Sequence, residues 1–283
     1  MTPRAAGSAR TVRLDQWLVA YGHAASRSEA QAAIMAGMVR IDGAVVDKPG
    51  YPLRPGARVT VHAATRRYAS RGGLKLAHAL AVFRVDPRGV TAVDLGASTG
   101  GFTDCLLQAG AARVYAVDVG HGQLAWRLRT DPRVVVLEGT NARYLTAAQV
   151  GGGSDLVTVD LSFISLRLVW EAIARVLKPG GDAIALIKPQ FEAGRAQVGR
   201  GGVVRDPAVH EAVLREVLAA ADRAGLSPIG LTPSPVTGPA GNIEYLAHLR
   251  RRDRSGPAGA LPAPRIAAVV AEAHARFPAR RRA

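Results

Sequence analysis

Short apolar runs alternate with stretches of helical periodicity through the middle of this chain. This alternation predicts a parallel β-sheet with helices on both faces. A further helix near 207–224 precedes two apolar runs that lie close together, near 227–232 and 243–249. Because a short connection suits antiparallel neighbours, we expect one antiparallel strand at the end of the sheet. The runs that predict the five parallel strands lie near residues 91–95, 113–118, 133–137, 155–161 and 182–188.

A smaller set of elements precedes this pattern. Apolar positions at helical spacing begin at Leu14, and Ser26 and Ser28 are N-cap candidates for a second helix. Residues 39–46 predict two short strands around an Asp-Gly turn, and residues 58–62 predict a closing strand. These elements are those of a small α/β domain.

The two patterns together predict an α/β protein with a small N-terminal domain and a larger Rossmann-like domain. A stretch rich in Ser, Gly, Pro and Ala follows the last predicted strand and is typical of a linker. The predicted segments are a disordered N-terminus (1–11), the small domain (12–63), a linker (64–70), the Rossmann-like domain (71–252), and a basic linker with a short C-terminal helix (253–283).

Charge is distributed unevenly along the chain, whose net charge is +15. Residues 1–84 hold 13 Lys and Arg against 4 Asp and Glu, and residues 250–283 hold 9 against 2. The stretch between them is balanced, with 15 basic and 16 acidic residues. This contrast indicates an enzyme core with extensions that face a polyanion. An arginine-rich composition with solvated surface charge is the alternative, but it leaves the contrast unexplained.

Lysine is rare among the basic residues. The chain has 33 Arg and only 4 Lys. Arginine does not lose its proton in proteins, whereas the pKa of a lysine can be tuned so that it does. Lys48 and Lys178 each precede a Pro-Gly turn, which leaves Lys75 and Lys188 as candidates for chemistry.

Other features exclude several classes of protein. The sequence has no apolar run of membrane-spanning length, and residues 1–11 lack the apolar segment of a secretory signal. A single cysteine, Cys105, cannot form an internal disulfide, which fits a reducing compartment. The seven histidines show no metal-ligand spacing. We therefore expect a cytoplasmic protein that holds no metal.

A glycine-rich turn follows the first strand of the predicted sheet. Its glycines do not have the G-x-G-x-x-G spacing of a dinucleotide site, and an acid at the end of the next strand can accept both ribose hydroxyls of a nucleoside. This set suits S-adenosylmethionine, which has no phosphate. A loop that only packs a helix onto the sheet is the alternative. The predicted cofactor-binding residues of the two strand ends and the turn are Asp94, Gly96, Ser98, Gly100, Gly101, Phe102 and Asp118.

Asn141 follows the third predicted strand. Methyltransferases often contact the adenine of their cofactor at this place, so Asn141 is a further cofactor-binding candidate. A helix cap is an equally good interpretation of this asparagine.

Ionisable side chains end the next two strands. In open α/β sheets the active site lies outside the carboxyl ends of the strands. Asp160 ends the fourth predicted strand and Lys188 ends the fifth. Lys75 begins the helix before the sheet, and Glu244 lies in the last strand. We predict that these four side chains form the catalytic site; a structural ion pair at the sheet edge is the alternative.

Residues 12–62 contain the motifs Arg13-Leu14-Asp15, Ser26-Arg27-Ser28, Asp42-Gly43 and Lys48-Pro49. With these motifs the segment resembles an S4 RNA-binding domain. The resemblance implies a surface that presents basic side chains to structured RNA. A small α/β adaptor that binds protein is the alternative. The RNA-binding residues implied by the resemblance are Arg13, Arg27, Arg40 and Lys48.

The Lys-Asp-Lys-Glu set resembles the tetrad of the FtsJ-like RNA ribose 2′-O-methyltransferases, and the chain as a whole resembles the TlyA (hemolysin A-like) family. Further motifs that carry this resemblance are Ser70-Arg71-Gly72-Gly73-x-Lys75, Asp160-Leu161-Ser162-Phe163-Ile164 and Lys188-Pro189-Gln190-Phe191-Glu192. The connector departs from the family, because some members have a Trp where this chain reads Arg66-Arg67-Tyr68-Ala69.

The family resemblance implies an S-adenosylmethionine-dependent enzyme that methylates a ribose 2′-hydroxyl of ribosomal RNA, at a cytidine. Ribosomal subunits are the implied partner, Arg71 joins the RNA-binding residues, and no stable membrane association is expected. Lys188 orients the hydroxyl or takes its proton, Asp160 holds Lys188, and Lys75 and Glu244 tune the pair. Two alternatives stay open: a membrane-active, hemolysin-like protein, and an RNA-binding protein with an inactive methyltransferase domain.

The basic, glycine-rich segment 194–205 is either a mobile lid that touches RNA or an ordinary solvated loop.

Overall fold

The structure is a computed structural model, and it describes residues 11–24, 27–35, 37–61, 67–252 and 260–278. The chain divides into two compact units, Met1–Ser70 and Arg71–Ala283. Residues 1–10, Ser26, part of the predicted linker and two parts of the C-terminal extension lie outside the described residues, as does the side chain of Ser28. The predicted N-terminal disorder and the predicted serine caps therefore stay predictions.

The described residues of the first unit form two helices and two small sheets. The strand after the second helix pairs antiparallel with both of its neighbours in one sheet, and the Asp-Gly turn has the left-handed backbone of a tight hairpin (Asp42 φ 49°, Gly43 φ 84°). The second sheet pairs two strands of two residues each, too short to show any alternation in the sequence. The elements are β1 (Val12–Arg13), α1 (Leu14–Ala20), α2 (Arg27–Met35), β2 (Val39–Ile41), β3 (Ala44–Val46), β4 (Pro52–Leu53) and β5 (Val59–Val61).

The core of the first unit is formed where the helices pack on these strands. Leu14, Trp17 and Leu18 of α1 and Ile34 of α2 are buried together with Val39 of β2. The apolar positions at helical spacing in the sequence are thus the inward face of α1.

The second unit is built on a seven-stranded sheet, in the order β11-β12-β10-β9-β6-β7-β8. Strands β6 to β10 are parallel, and β12 runs antiparallel to both of its neighbours. This confirms the predicted fold class and the single antiparallel strand. The elements are α3 (Gly72–Phe83), β6 (Thr91–Leu95), α4 (Gly101–Gln108), β7 (Arg113–Val117), α5 (Trp126–Arg129), β8 (Val134–Leu137), β9 (Ser154–Val159), α6 (Trp170–Val176), β10 (Leu177–Ile187), α7 (Pro189–Glu192), α8 (Pro207–Arg223), β11 (Leu226–Pro233), β12 (Tyr245–Arg251) and α9 (Ala263–Arg276).

The strand order places a crevice in the middle of this sheet. From β6 the chain moves to one edge through β7 and β8, and it then returns to the other side of β6 through β9. Such a reversal opens a space between neighbouring strand ends, which is where open α/β sheets bind ligands. The crevice lies between the carboxyl ends of β6 and β9.

The C-terminal helix α9 packs against α8 and β11 within the second unit. Ile266, Val269, Val270 and Ala273 recur at helical spacing and are buried in the same core as the strands. The predicted helix is therefore present, and its apolar face belongs to the unit that contains the sheet.

A buried histidine links α8 to its neighbours. His210 Nδ1 lies 2.8 Å from the Tyr245 hydroxyl and 3.1 Å from His274 Nε2, and His210 Nε2 lies 3.2 Å from the Val204 carbonyl oxygen. Burial, aided by His274, lowers the pKa of His210 to about 4. His210 is therefore neutral at neutral pH and serves as a hydrogen-bonding bridge.

Candidate active site at the carboxyl ends of the strands

The glycine-rich turn after β6 is held by main-chain hydrogen bonds. Gly96 and Ala97 both donate to the Val117 carbonyl oxygen, at 2.9 and 3.1 Å. Gly96 has φ +85°, and a Cβ at this position would lie 2.6 Å from the Asp160 carbonyl oxygen. No side chain fits there, because both the backbone conformation and the close approach of the next strand require glycine.

Asp118 holds the turn from the neighbouring strand. Its Oδ2 accepts a hydrogen bond from the Ser98 N–H at 2.8 Å, and its Oδ1 accepts one from the Gly120 N–H at 2.7 Å. A carboxylate has about four acceptor sites, so Asp118 can still accept from hydroxyls of a ligand. The carboxylate faces a cavity of about 350 Å³. Six of the residues that line this cavity are Gly96, Ser98, Asp118, Thr140, Asp160 and Ser162.

Not all of the predicted cofactor residues line the cavity. Gly96, Ser98 and Asp118 do, whereas Gly100, Gly101 and Phe102 form the turn and the start of α4. The side chain of Asn141 accepts a hydrogen bond from the Arg143 N–H at 3.0 Å and so caps a short 3-10 turn. This contact is the one expected if Asn141 is a helix cap.

Asp94 lies beneath the turn. It is fully buried and accepts hydrogen bonds from the Thr103 hydroxyl at 2.7 Å and the Thr158 hydroxyl at 3.1 Å. Burial raises the pKa of Asp94 to about 7. Through its two hydrogen bonds this carboxyl ties β6 to α4 and β9, and Asp94 is not among the residues that line the cavity.

The four predicted catalytic side chains form two ion pairs. Lys188 Nζ lies 2.7 Å from Asp160 Oδ1, and Lys75 Nζ lies 2.5 Å from Glu244 Oε2. Both lysines are buried. Burial raises the pKa of Glu244, while the charges of Lys75 and Lys188 oppose this rise. Because Glu244 is influenced by both lysines, the two pairs form one electrostatic cluster at the ends of β9, β10 and β12 and the start of α3.

Ser162 and Phe163 lie near this cluster, and the sequence alone assigned neither of them a role at the site. Lys188 Nζ also donates to Ser162 Oγ at 2.8 Å. Phe163 is 90% exposed, has a left-handed backbone (φ 62°), and its ring centroid lies 5.0 Å from that of Phe191. Both residues stand in a motif that carries the family resemblance, but a left-handed phenylalanine has no signal in sequence.

Hydrogen bonds anchor the C-terminal part of the glycine-rich segment 194–205. The Gly199 N–H donates to the Val203 carbonyl oxygen at 3.1 Å. The Asn242 side chain accepts from the Val204 N–H at 3.1 Å and donates to the Gly202 carbonyl oxygen at 2.9 Å. These bonds fix the segment to the chain that leads into Glu244.

The predicted RNA-binding residues of the first unit are exposed, and two of them surround a buried acid. Arg13 and Arg27 pair with Asp15, at 2.9 and 3.0 Å, and the hydrogen bond from Arg13 lowers the pKa of Asp15 well below its usual range. Arg40 donates to the Gly43 carbonyl oxygen at 2.9 Å, and Lys48 is exposed.

Arg71 lies at the start of α3 in the second unit. Its guanidinium donates to the Thr237 carbonyl oxygen at 3.4 Å. This predicted RNA-binding residue therefore stands four positions before Lys75 at the same end of the sheet.

Within the part of the chain that the structure describes, no helix is both long enough and apolar enough to cross a bilayer.

Comparison with protein families identifies two domains. A model described as an FtsJ-like methyltransferase matches residues 68–251, and an S4 domain model matches residues 12–59. The two matches together cover most of the described chain.

Known proteins match nearly the whole chain. It is 50% identical over 246 residues to "16S/23S rRNA (cytidine-2'-O)-methyltransferase TlyA" from Mycobacterium tuberculosis, covering 86% of this chain and 91% of the relative. It is 40% identical to "Hemolysin A" from Brachyspira hyodysenteriae, covering 84% of this chain and 99% of the relative. A solved structure of a protein from Streptococcus thermophilus that is named as a hemolysin superposes with a TM-score of 0.75. The two sequences are 45% identical, and the match covers 95% of this chain and 98% of the other.

Proposed function

The chain belongs to the TlyA family of FtsJ-like methyltransferases, and we propose that it transfers a methyl group from S-adenosylmethionine to the 2′-hydroxyl of a cytidine in ribosomal RNA. The observation that carries the proposal is the position of Lys188. Its amine is held by Asp160, which lines the same cavity as Asp118. The relative from Mycobacterium tuberculosis is named for this same reaction.

The cavity fits the cofactor. Its volume of about 350 Å³ lies within the range of small-molecule sites, and its wall at Gly96 leaves no room for a Cβ. Asp118 lines this cavity and is assigned to the ribose hydroxyls, while Thr140 and Ala142 line the same cavity. When bound, S-adenosylmethionine supplies an electrophilic methyl group on a sulfonium. No pyrophosphate site is needed, which agrees with the glycine spacing of the turn.

The acceptor side is built to remove a proton. A ribose hydroxyl becomes a good nucleophile as its proton leaves, and Lys188 Nζ in its neutral form can accept that proton. Asp160 holds the amine in place and stabilises the ammonium that forms. The buried Lys75–Glu244 pair brings one positive and one negative charge to the same cluster, so it fixes the surroundings of Lys188 without adding net charge. Alignment of the two reactants supplies much of the remaining acceleration.

An exposed aromatic ring lies one ring away from this amine: Lys188 Nζ is 5.9 Å from the centroid of the Phe191 ring, which lies 5.0 Å from that of Phe163. Phe163 directly follows Ser162, which accepts a hydrogen bond from Lys188. Exposed aromatic faces stack on unpaired bases, with contributions of about 1 to 3 kcal/mol for each base. We therefore assign Phe163 to stacking with the base of an acceptor nucleotide.

The S4 unit supplies RNA affinity outside the reaction centre. Arg13, Arg27, Arg40 and Lys48 present exposed cationic groups, and phosphate contacts of this kind dominate affinity for nucleic acids. Ribosomal subunits in the cytoplasm are the substrate that this combination of domains fits.

The test is to identify the product. The protein is incubated with methyl-labelled S-adenosylmethionine and separated ribosomal subunits from cells that lack it, and the RNA is digested to nucleosides. We expect label in 2′-O-methylcytidine. Label in a methylated base, or no label in either subunit, contradicts the proposal.

The name of the Brachyspira relative gives a second candidate, membrane lysis. The same preparation is added to dye-loaded liposomes of anionic and of neutral composition. Leakage without methyl transfer would favour the lytic function. Calorimetric titration with S-adenosylmethionine addresses an inactive methyltransferase domain, for which no binding heat is expected.

A further inference from the structure

Lys188 has two hydrogen-bond acceptors in the structure. Its Nζ lies 2.7 Å from Asp160 Oδ1 and 2.8 Å from Ser162 Oγ. A neutral amine has two N–H bonds and one lone pair. Two acceptors therefore use both N–H bonds and leave the lone pair in a defined direction.

The two acceptors differ in charge, and this difference matters for a base. A carboxylate stabilises the ammonium form of Lys188 strongly, because hydrogen bonds between charged partners are about twice as strong as neutral ones. The Ser162 hydroxyl is a neutral acceptor, so it orients the amine with much less preference for the charged form. A second carboxylate at this place would hold Lys188 as an ammonium.

The turn that carries Ser162 is fixed from its other end. Glu192, buried on α7 just after Lys188, accepts from the Ser165 hydroxyl at 2.6 Å and from the Leu166 N–H at 2.7 Å. The turn between Ser162 and Ser165 is thus tied at both ends to the segment that begins with Lys188. Phe163 keeps its left-handed backbone inside this closed turn, where the flanking bonds offset the strain.

Ser162 also faces the cofactor side. It lines the same cavity as Gly96 and Asp118. Ser162 therefore contacts the proposed base and also lines the cavity assigned to the methyl donor.

We propose that Ser162 is a positioning residue of the methyl transfer: with Asp160 it uses both N–H bonds of neutral Lys188 and directs the lone pair of the amine toward the acceptor hydroxyl. The proton of the 2′-hydroxyl passes to this lone pair while the 2′-oxygen forms its bond to the methyl carbon and the sulfonium sulfur keeps the electrons of the bond that breaks. This inference rests on the proposed function.

The test compares Ser162→Ala with Ser162→Thr in the full-length protein. Single-turnover methylation of ribosomal subunits is measured at saturating S-adenosylmethionine across pH, together with KM for the subunits and cofactor affinity. For Ser162→Ala we expect about a tenfold lower maximal rate, with KM and cofactor affinity within twofold of wild type. Loss of an acceptor for the ammonium moves the midpoint of the pH–rate profile to lower pH. Ser162→Thr retains a hydroxyl and restores both the rate and the midpoint.

Ser165→Ala separates the hydroxyl of Ser162 from the order of its turn. This variant removes the hydrogen bond from the Ser165 hydroxyl to Glu192 but keeps Ser162, so we expect a smaller loss of rate and no change in the pH midpoint. Wild-type rate in Ser162→Ala at every pH, or a threonine variant as slow as the alanine variant, overturns the inference while the proposed function stands. A wild-type protein that transfers no methyl group to RNA overturns both.

Discussion

The two halves of the seven-stranded sheet hold their functional groups in different ways. In the half formed by β6, β7 and β8, the turn at Gly96 and the carboxylate of Asp118 are held by backbone N–H groups. In the half formed by β9, β10 and β12, Lys188 and Glu244 are held by side-chain ion pairs.

This difference predicts which changes each half tolerates. A site made of main chain fails when a Cβ is added, because backbone atoms cannot move aside cheaply. A site made of paired charges loses its chemistry when one partner is neutralised, because the remaining buried charge is left without its partner. The halves meet at Gly96, where an added Cβ would contact the carbonyl oxygen of Asp160.

The largest effect is expected from Asp160→Asn in the half with ion pairs. The amide keeps the shape of the side chain but no longer stabilises the ammonium of Lys188. General acid–base catalysis contributes about 10² to 10⁴-fold, so we expect a roughly thousandfold slower single-turnover methylation of ribosomal subunits. Cofactor affinity, measured by calorimetry, stays within about threefold of wild type. A parallel collapse of cofactor affinity would remove the distinction between the halves.

Gly96→Ala is the corresponding change in the half held by main chain. The added Cβ would lie 2.6 Å from a carbonyl oxygen and would force the turn away from β9. We expect roughly a hundredfold weaker binding of S-adenosylmethionine in calorimetry, about 3 kcal/mol.

Gly89→Ala is the matched control for this change. Gly89 also has a left-handed backbone (φ +74°), but a Cβ added there would have no atom within 4 Å. Backbone strain alone costs about 1 kcal/mol of stability, and cofactor affinity is expected to stay at the wild-type value. Equal losses of affinity in both variants would show that strain, and not the contact with Asp160, is responsible.

Asp118→Asn is expected to have a smaller effect. The amide keeps one acceptor for the turn and loses the charge that faces the cavity. We expect about tenfold weaker binding of S-adenosylmethionine, with an unchanged single-turnover rate once the cofactor is saturating. A slower rate at saturation would mean that Asp118 acts on the chemistry as well as on binding.

The smallest effect on function is expected away from both halves, at His210. Its pKa is lowered to about 4 in the folded protein, so the unfolded chain takes up the proton first as the pH falls. Stability is therefore lost from about pH 6.5 down to about pH 4, by about 3 kcal/mol, and this contribution stays lost below that range. His210→Gln keeps hydrogen-bonding groups without titrating.

Urea denaturation at pH 4 to 7 measures the difference between His210→Gln and wild type. The wild-type protein should lose more stability on acidification than the variant, while cofactor affinity at pH 7.5 stays the same in both. An identical acid dependence would exclude His210 as the titrating group.

The order of elements in the second unit could be predicted because the strands are buried on both faces and therefore appear as apolar runs. Asp160 and Lys188 could be found for a related reason, since each ends such a run and parallel strand ends meet at one edge. Lys75 could be found because lysine is rare in this chain, and Glu244 because it lies at the last predicted strand. The two-residue strands β1 and β4 could not be predicted, because they are too short to alternate.

The sequence did not reveal which way individual side chains face. Asp94 and Asp118 both end a strand, yet Asp94 is buried on two threonine hydroxyls and only Asp118 lines the cavity. Ser162 and Phe163 depend on a left-handed turn that is closed by Glu192, a contact between residues 27 positions apart. Such contacts follow from tertiary packing and leave no local pattern.

Lys188→Arg tests the central claim most directly. Arginine keeps the positive charge beside Asp160 but cannot lose its proton, so the ion pair survives and the base does not. Single-turnover methylation of ribosomal subunits is measured at saturating S-adenosylmethionine, with cofactor affinity measured in parallel. We expect normal cofactor binding and at least a hundredfold slower formation of 2′-O-methylcytidine. A variant that methylates at the wild-type rate would contradict the assignment of Lys188 as the base.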